Sequence, residues 1–156
     1  MAWIFELEAD CVKKDAAEAF GSHFCGLAYV LPDGRECRVE PKGVSKFEDP
    51  THHFRCCVVP SGASMTGYKD VLRTDDERRQ LALFLYQRLR TAPAFRFAVV
   101  GVECHDFEPF DRSGSLDPFD GLVISEQMFS EVGRPREFQP FAPGYFWVPF
   151  TELSPL

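Results

Sequence analysis

A chain of 156 residues that is 45% hydrophobic and 14% aromatic fits one globular domain, residues 1–156, that buries roughly two thirds of its unfolded surface. It is too short for two such domains and too apolar for disorder over most of its length. Its 24 acids against 17 bases give a net charge of -7, and without a basic tract to displace counterions or meet anionic headgroups neither direct nucleic-acid binding nor membrane binding is expected.

The N-terminus, MAWIFELEADC, has no basic n-region and only a short apolar run, which predicts a cytoplasmic protein without a signal peptide or membrane span. Trp3 to Glu8 alternates in strand fashion. Asp15 to Phe20 is an alanine-rich helical segment that Gly21 is placed to close. His23 to Leu31 reads as a strand, Pro32-Asp33-Gly34-Arg35 as a turn, and Glu36 to Pro41 as the second arm of a hairpin. So short a loop requires antiparallel pairing. "FRCCVVP", Phe54 to Pro60, is a further strand, and "SGASMTGYK" after it is a loop of small residues.

Thr74 and Glu77 have the spacing of a capping box. Asp75 and Asp76 suit the positive end of a helix dipole, and Arg88 and Arg90 suit its negative end. With Leu81, Phe84, Leu85 and Leu89 at helical spacing, a long amphipathic helix is predicted from about Asp75 to Arg90, stopping near Pro93. "FRFAVVGVEC", Phe95 to Cys104, is apolar enough for a central strand. A short strand follows at Gly121 to Ile124, then a short helix from about Ser125, and a last strand at Tyr145 to Phe150. Strands and helices do not alternate, and a hairpin precedes the long helix. The predicted class is therefore α+β, a mostly antiparallel sheet with one long amphipathic helix and two short helices.

Six cysteines, Cys11, Cys25, Cys37, Cys56, Cys57 and Cys104, lie in apolar or strand-like runs without CxxC spacing, the pattern of reduced, buried thiols. "HHFRCC", His52 to Cys57, holds zinc-type ligands, but in a strand His52, Phe54 and Cys56 share one face and His53, Arg55 and Cys57 the other. At most one His and one Cys then converge. "DRSGSLD", Asp111 to Asp117, alternates oxygen ligands as a calcium loop does, yet Leu116 and Leu122 stand where such a loop needs glycine and a bidentate glutamate. Cys104 and His105 are adjacent and so point apart in extended chain. His23 and Cys25 could share a face. No GxGxxG or Walker loop occurs, and no cofactor or metal is expected. "PFAPGYFWVPF", Pro140 to Phe150, reads as an edge strand whose aromatics close the core, with Tyr145 or Trp147 facing outward as the alternative.

The charge is concentrated in "ECHDFEPFDRSGSLDPFDGLVISEQMFSE", residues 103–131, where eight acids and one arginine sit among four phenylalanines. That stretch alone accounts for the net charge. One reading is a solvated loop that aids solubility. The other rests on Phe107, Phe110 and Phe119, not all of which can reach the core from such a loop, so that acids rim exposed aromatics, a surface suited to a basic protein partner: charge steers the encounter and aromatics supply buried contact. The partner-binding residues on this reading are Asp106, Glu108, Phe110, Asp111, Asp117, Phe119 and Asp120.

The tail "DGLVISEQMFSEVGRP" followed by "PGYFWVPF", in a small acidic chain, resembles immunity proteins of bacterial toxin systems, in particular those paired with type VI secretion effectors. The resemblance covers about the last 40 residues. It implies a non-enzymatic protein that binds one cognate toxin, a basic nuclease being one such target, and blocks its active site. It assigns no individual residue a role. The competing expectations are a small metal- or thiol-dependent enzyme using His52, His53, Cys56 and Cys57, and a general small-ligand or adaptor domain.

Overall fold

The computed structural model describes residues 3–64, 70–105 and 107–150; part of the small-residue loop after Pro60 and Asp106 therefore lie outside the described residues. The fold is α+β. Its strands are β1 (Phe5–Val12), β2 (Ala28–Val30), β3 (Glu36–Arg38), β4 (Val44–Glu48), β5 (Phe54–Val58), β6 (Phe97–Val102), β7 (Val123–Ser125), β8 (Gln139–Ala142) and β9 (Tyr145–Trp147). The helices are α1 (Lys14–Phe24), α2 (Asp75–Leu89) and α3 (Glu126–Glu131). Seven strands form one sheet in the order β4-β5-β1-β6-β7-β9-β8, and β2 with β3 forms a separate hairpin. Every pairing in both sheets is antiparallel.

One face of the sheet is apolar. Phe5, Leu7, Ala9 and Cys11 of β1 alternate onto it, and α1 covers it with Ala17, Phe20 and Phe24. α2 covers the part over β6 with Leu81, Leu85, Tyr86 and Leu89. The capping box forms as its spacing predicts: Thr74 Oγ1 accepts from Glu77 N at 3.1 Å and Glu77 Oε2 accepts from Thr74 N at 3.3 Å. Glu77 also pairs with Arg35, which ties the hairpin to the start of α2.

Several predicted boundaries move, each for a tertiary reason. α1 runs through Gly21 to Phe24, so His23 and Phe24 are helical rather than the start of a strand. Gly21 is there for space: a Cβ would stand 2.7 Å from Val44 Cγ1, where α1 crosses β4. β1 continues four residues past Glu8 because its acidic side chains are buried against partners rather than solvated. β4 and β8 complete the sheet at its two edges and carry no strong local signal; β4 is the mixed pentapeptide VSKFE. β9 lies inside β8 rather than at the edge. Tyr145 and Trp147 face the core: Tyr145 stacks on Phe95 at 4.3 Å, and Trp147 meets Tyr86 and Phe141 at 5.5 and 5.1 Å. The outward-anchor alternative for these two residues is thereby overturned.

Candidate functional site

The second sheet face is built on charge. Glu6, Glu8 and Asp10 occupy alternate positions of β1 and are 2%, 0% and 1% exposed. Register places Glu8 opposite Cys57 and Asp10 opposite Arg55 on β5. Each acid has a partner. Cys57 Sγ donates to Glu6 Oε2 at 3.0 Å, and His105 N donates to Glu6 Oε1 at 2.6 Å. His53 Nδ1 stands 2.9 Å from Asp10 Oδ2, and Arg96 Nη1 reaches the same oxygen at 3.4 Å.

Arg55 is the hub of this face. Its guanidinium donates to Glu8 at 2.9 Å, Asp49 at 2.8 Å, Glu108 at 3.0 Å and the Phe107 carbonyl at 2.6 Å. Its Cζ lies 5.3 Å from the centroid of the Phe97 ring. Burial alone would disfavour its charge, but the bonds to Glu8 and Asp49 hold it protonated. Two of its contacts belong to the acidic segment, so Arg55 fastens that segment to the sheet.

The phenylalanines of the segment point the same way. Phe107, Phe110, Leu116 and Phe119 pack on a second core of Phe97, Leu122, Ile124, Met128 and Phe138. Phe107 meets Phe119 edge-on at 4.5 Å and Phe97 at 6.2 Å. Arg96 covers Phe110, its Cζ 5.4 Å from the ring centroid. The expectation of exposed aromatics is corrected here: these rings are half-buried, because they share the cover of this sheet face with Met128 of α3.

The turn at the tip is self-contained. Asp111 Oδ1 accepts from Ser113 N, Ser113 Oγ and Ser115 N at 2.8, 2.6 and 3.0 Å. Those bonds, Ser113's hydroxyl first, hold the Asp111 carboxyl below the usual range. A bridge between Phe110 and Leu116 and the bond from Asp117 N to Pro109 O close the loop behind it. "DRSGSLD" is thus a hydrogen-bonded turn, with Asp111 Oδ1 spent on its own backbone and on Ser113. Of the residues singled out in the sequence, Glu108, Asp111, Asp117 and Asp120 are exposed, Phe110 and Phe119 are half-buried beneath them, and Asp106 is outside the described residues.

His52 to Cys57 does not converge. His52 sits in a turn with φ of 65° and pairs with Glu48 at 2.9 Å, whereas His53 turns to Asp10. Cys56 faces the helices, where burial pushes its thiol up to about 11. Cys57 faces the charged side, and burial together with the bond to Glu6 pushes its thiol up further. Neither is a poised nucleophile. Among the described residues, no group of three or more His, Cys, Asp or Glu side chains is arranged to hold a metal ion. All six cysteines are free thiols and Cys25 alone is exposed. In native protein a thiol reagent such as Ellman's is expected to modify Cys25 rapidly and the other five only on unfolding; fast release of two or more equivalents would contradict the packing of β1 and β5.

Glu6, Glu8, Asp10, Asp49 and Arg55 were not singled out by the sequence reading. The one signal available was acid at every second position in FELEAD, a pattern that fits a solvated strand face equally well. Asp49 is the acid-sensitive member. Burial opposes its charge, but bonds from Thr51, Arg55 and the His53 backbone overcome this and hold its carboxyl at about 2. Arg35 and the backbone at Arg73 do the same for Glu77, also at about 2. Both folded-state values lie below their unfolded ones. Their contribution is therefore complete above about pH 4.5 and lost as pH falls toward 2, with Asp49 supplying about 2 kcal/mol. Urea midpoints measured from pH 5 to pH 2 are expected to fall, and to fall less in Asp49→Asn; equal slopes in the two proteins would contradict this.

Comparison of the chain with protein-family models, curated sequences and solved structures found no match. No helix among the described residues is long and apolar enough to cross a membrane.

Proposed function

We propose that this chain is an immunity-type inhibitor, a cytoplasmic protein that binds and neutralises a cognate basic toxin through the acidic surface of residues 107–120. One observation carries the reading: the segment turns its phenylalanines inward onto the sheet and the side chains of Asp111, Asp117 and Asp120 outward. Glu108, Asp111, Asp117 and Asp120 are exposed, on a loop held by Arg55, by the second core and by its own turn. A surface ordered in advance loses little conformational entropy on binding, and a one-signed field speeds encounter with an oppositely charged partner. Phe110 and Phe119 serve chiefly by holding the carboxylates in place. A nuclease effector is the toxin class this charge suits best, since its cleft must attract phosphate. The divergence of His52, His53, Cys56 and Cys57 disfavours the metal- or thiol-enzyme reading.

The test is affinity capture from lysate of the source cell at about 50 mM and about 500 mM salt, a range over which the Debye length falls from about 14 Å to about 4 Å. One dominant partner of high isoelectric point, recovered less well at high salt, is expected. No reproducible basic partner at either salt would leave the segment as a solubility feature.

A further inference from the structure

An open cavity of about 570 Å³ lies where β1 ends against α3 and the start of β6. Its floor is apolar, formed by the stacked pair Phe95 and Tyr145 with Met128. Lys13 and Arg96 place donors on its polar rim, with His53 beside them. Asp10 orients two of them from behind, through His53 Nδ1 at 2.9 Å and Arg96 Nη1 at 3.4 Å. Asp10 only accepts, so His53 Nδ1 carries the hydrogen of that bond, and Arg96 keeps its remaining N–H groups for a ligand. The acceptor on the rim, Glu131, is partly consumed, because Gln127 Nε2 donates to its Oε1 at 2.9 Å.

The backbone at the cavity wall is irregular in a way that fold alone does not require. β1 breaks register with β5 between Asp10 and Val12, and Val12 takes φ of 62°. A β-branched residue in the left-handed region is strained, and such strain is held only where surrounding bonds impose it. Here the Asp10 carboxylate imposes it: Asp10 Oδ1 accepts from Val12 N at 2.9 Å while Oδ2 holds His53 and Arg96. One buried acid thus sets both the bend and the donors.

We propose that this cavity binds a small amphipathic carboxylate, its acid group on Arg96 and Lys13 and its apolar body on Phe95, Tyr145 and Met128. A surplus of donors around an apolar floor selects a ligand that brings acceptors and little else that is polar. The site does not depend on the inhibitor reading and is tested separately from it.

The probe is sodium benzoate, titrated into the full chain and followed by NMR at the His53 imidazole and the Met128 methyl, with benzyl alcohol and inorganic phosphate as controls. Saturable shifts with a Kd of about 1–10 mM, the range for a ligand of this size, are expected. Benzyl alcohol and phosphate are each expected to bind about tenfold more weakly, the loss of one charge-assisted bond or of the apolar contact. Arg96→Met is expected to cost about tenfold and Lys13→Gln about threefold; Lys13 is exposed, so its variant stays folded if Arg96→Met does not. Absence of saturable shifts at these two residues, equal binding of benzyl alcohol or of phosphate, or unchanged benzoate affinity in Lys13→Gln would each overturn the proposal.

Discussion

Replacing Arg55 by Met is expected to destabilise the protein by about 3–5 kcal/mol at neutral pH, the range for breaking a buried ion pair by removing one member. Methionine nearly fills the space, so the effect is electrostatic. Glu8 at 0% and Asp49 at 5% side-chain exposure lose the cation that both contact. The Phe107 carbonyl and Glu108 lose their tether at the same time. Two readouts separate these consequences. Urea unfolding reports the global loss, and hydrogen exchange at Asp111, Gly114 and Asp117, whose amides bond within the segment, reports local release. Adding Glu8→Gln and Asp49→Asn to Arg55→Met is expected to recover part of the stability, because neutral amides in a buried site cost less than unpaired charges. A loss below about 1 kcal/mol for Arg55→Met would place that face in water and contradict its burial.

Gly121→Ala is expected to cost at least about 3 kcal/mol, from two additive causes. Gly121 has φ of 86°, where an alanine is strained by about 1–2 kcal/mol. An added Cβ would also stand 2.2 Å from Tyr86 Oη and 3.2 Å from Phe150 Cδ2. That hydroxyl is buried and fully used, donating to Gly121 O at 2.9 Å and accepting from Val100 N at 3.1 Å. Displacing it strips both bonds, and each buried group left unpaired costs about 1–3 kcal/mol. Tyr86→Phe removes the clashing oxygen, so the double variant is expected to be more stable than the sum of the two single losses implies, the mark of direct contact. Strict additivity in that cycle would contradict the packing of α2 over residue 121.

α2 was the most legible element because its information is local: the cap, the charged ends and the apolar stripe all lie within its own residues. The central strand β6 was legible for the same reason, an unbroken apolar run. β1 was only half legible. FELEAD alternates as a strand should, but whether Glu6, Glu8 and Asp10 meet water or partners depends on Arg55, His53, Arg96 and His105, more than 40 residues away in sequence. The acidic segment was legible as a surface and misread in its aromatics. Nothing local to "HDFEPFDRSGSLDPFDG" says that a second apolar core lies beneath it, so Phe107, Phe110 and Phe119 read as aromatics not all of which reach a core, when all three pack on one. Gly21 read as a helix stop because a glycine after an alanine-rich run usually is one. Close passage over Val44 is invisible until β4 is in place.

The most direct measurement is a parallel capture from lysate with wild-type protein and with the double variant Asp117→Lys, Asp120→Lys as bait, the variant first verified by urea unfolding to lie within about 1 kcal/mol of wild type. Both side chains are exposed and neither is an acceptor of the turn that Asp111 holds, so charge can be reversed without entering the core. Recovery of one basic partner by wild type, reduced at least about tenfold in the variant, is the expected result. Equal recovery of the same partner by both baits would contradict the assignment of the acidic segment as the binding surface.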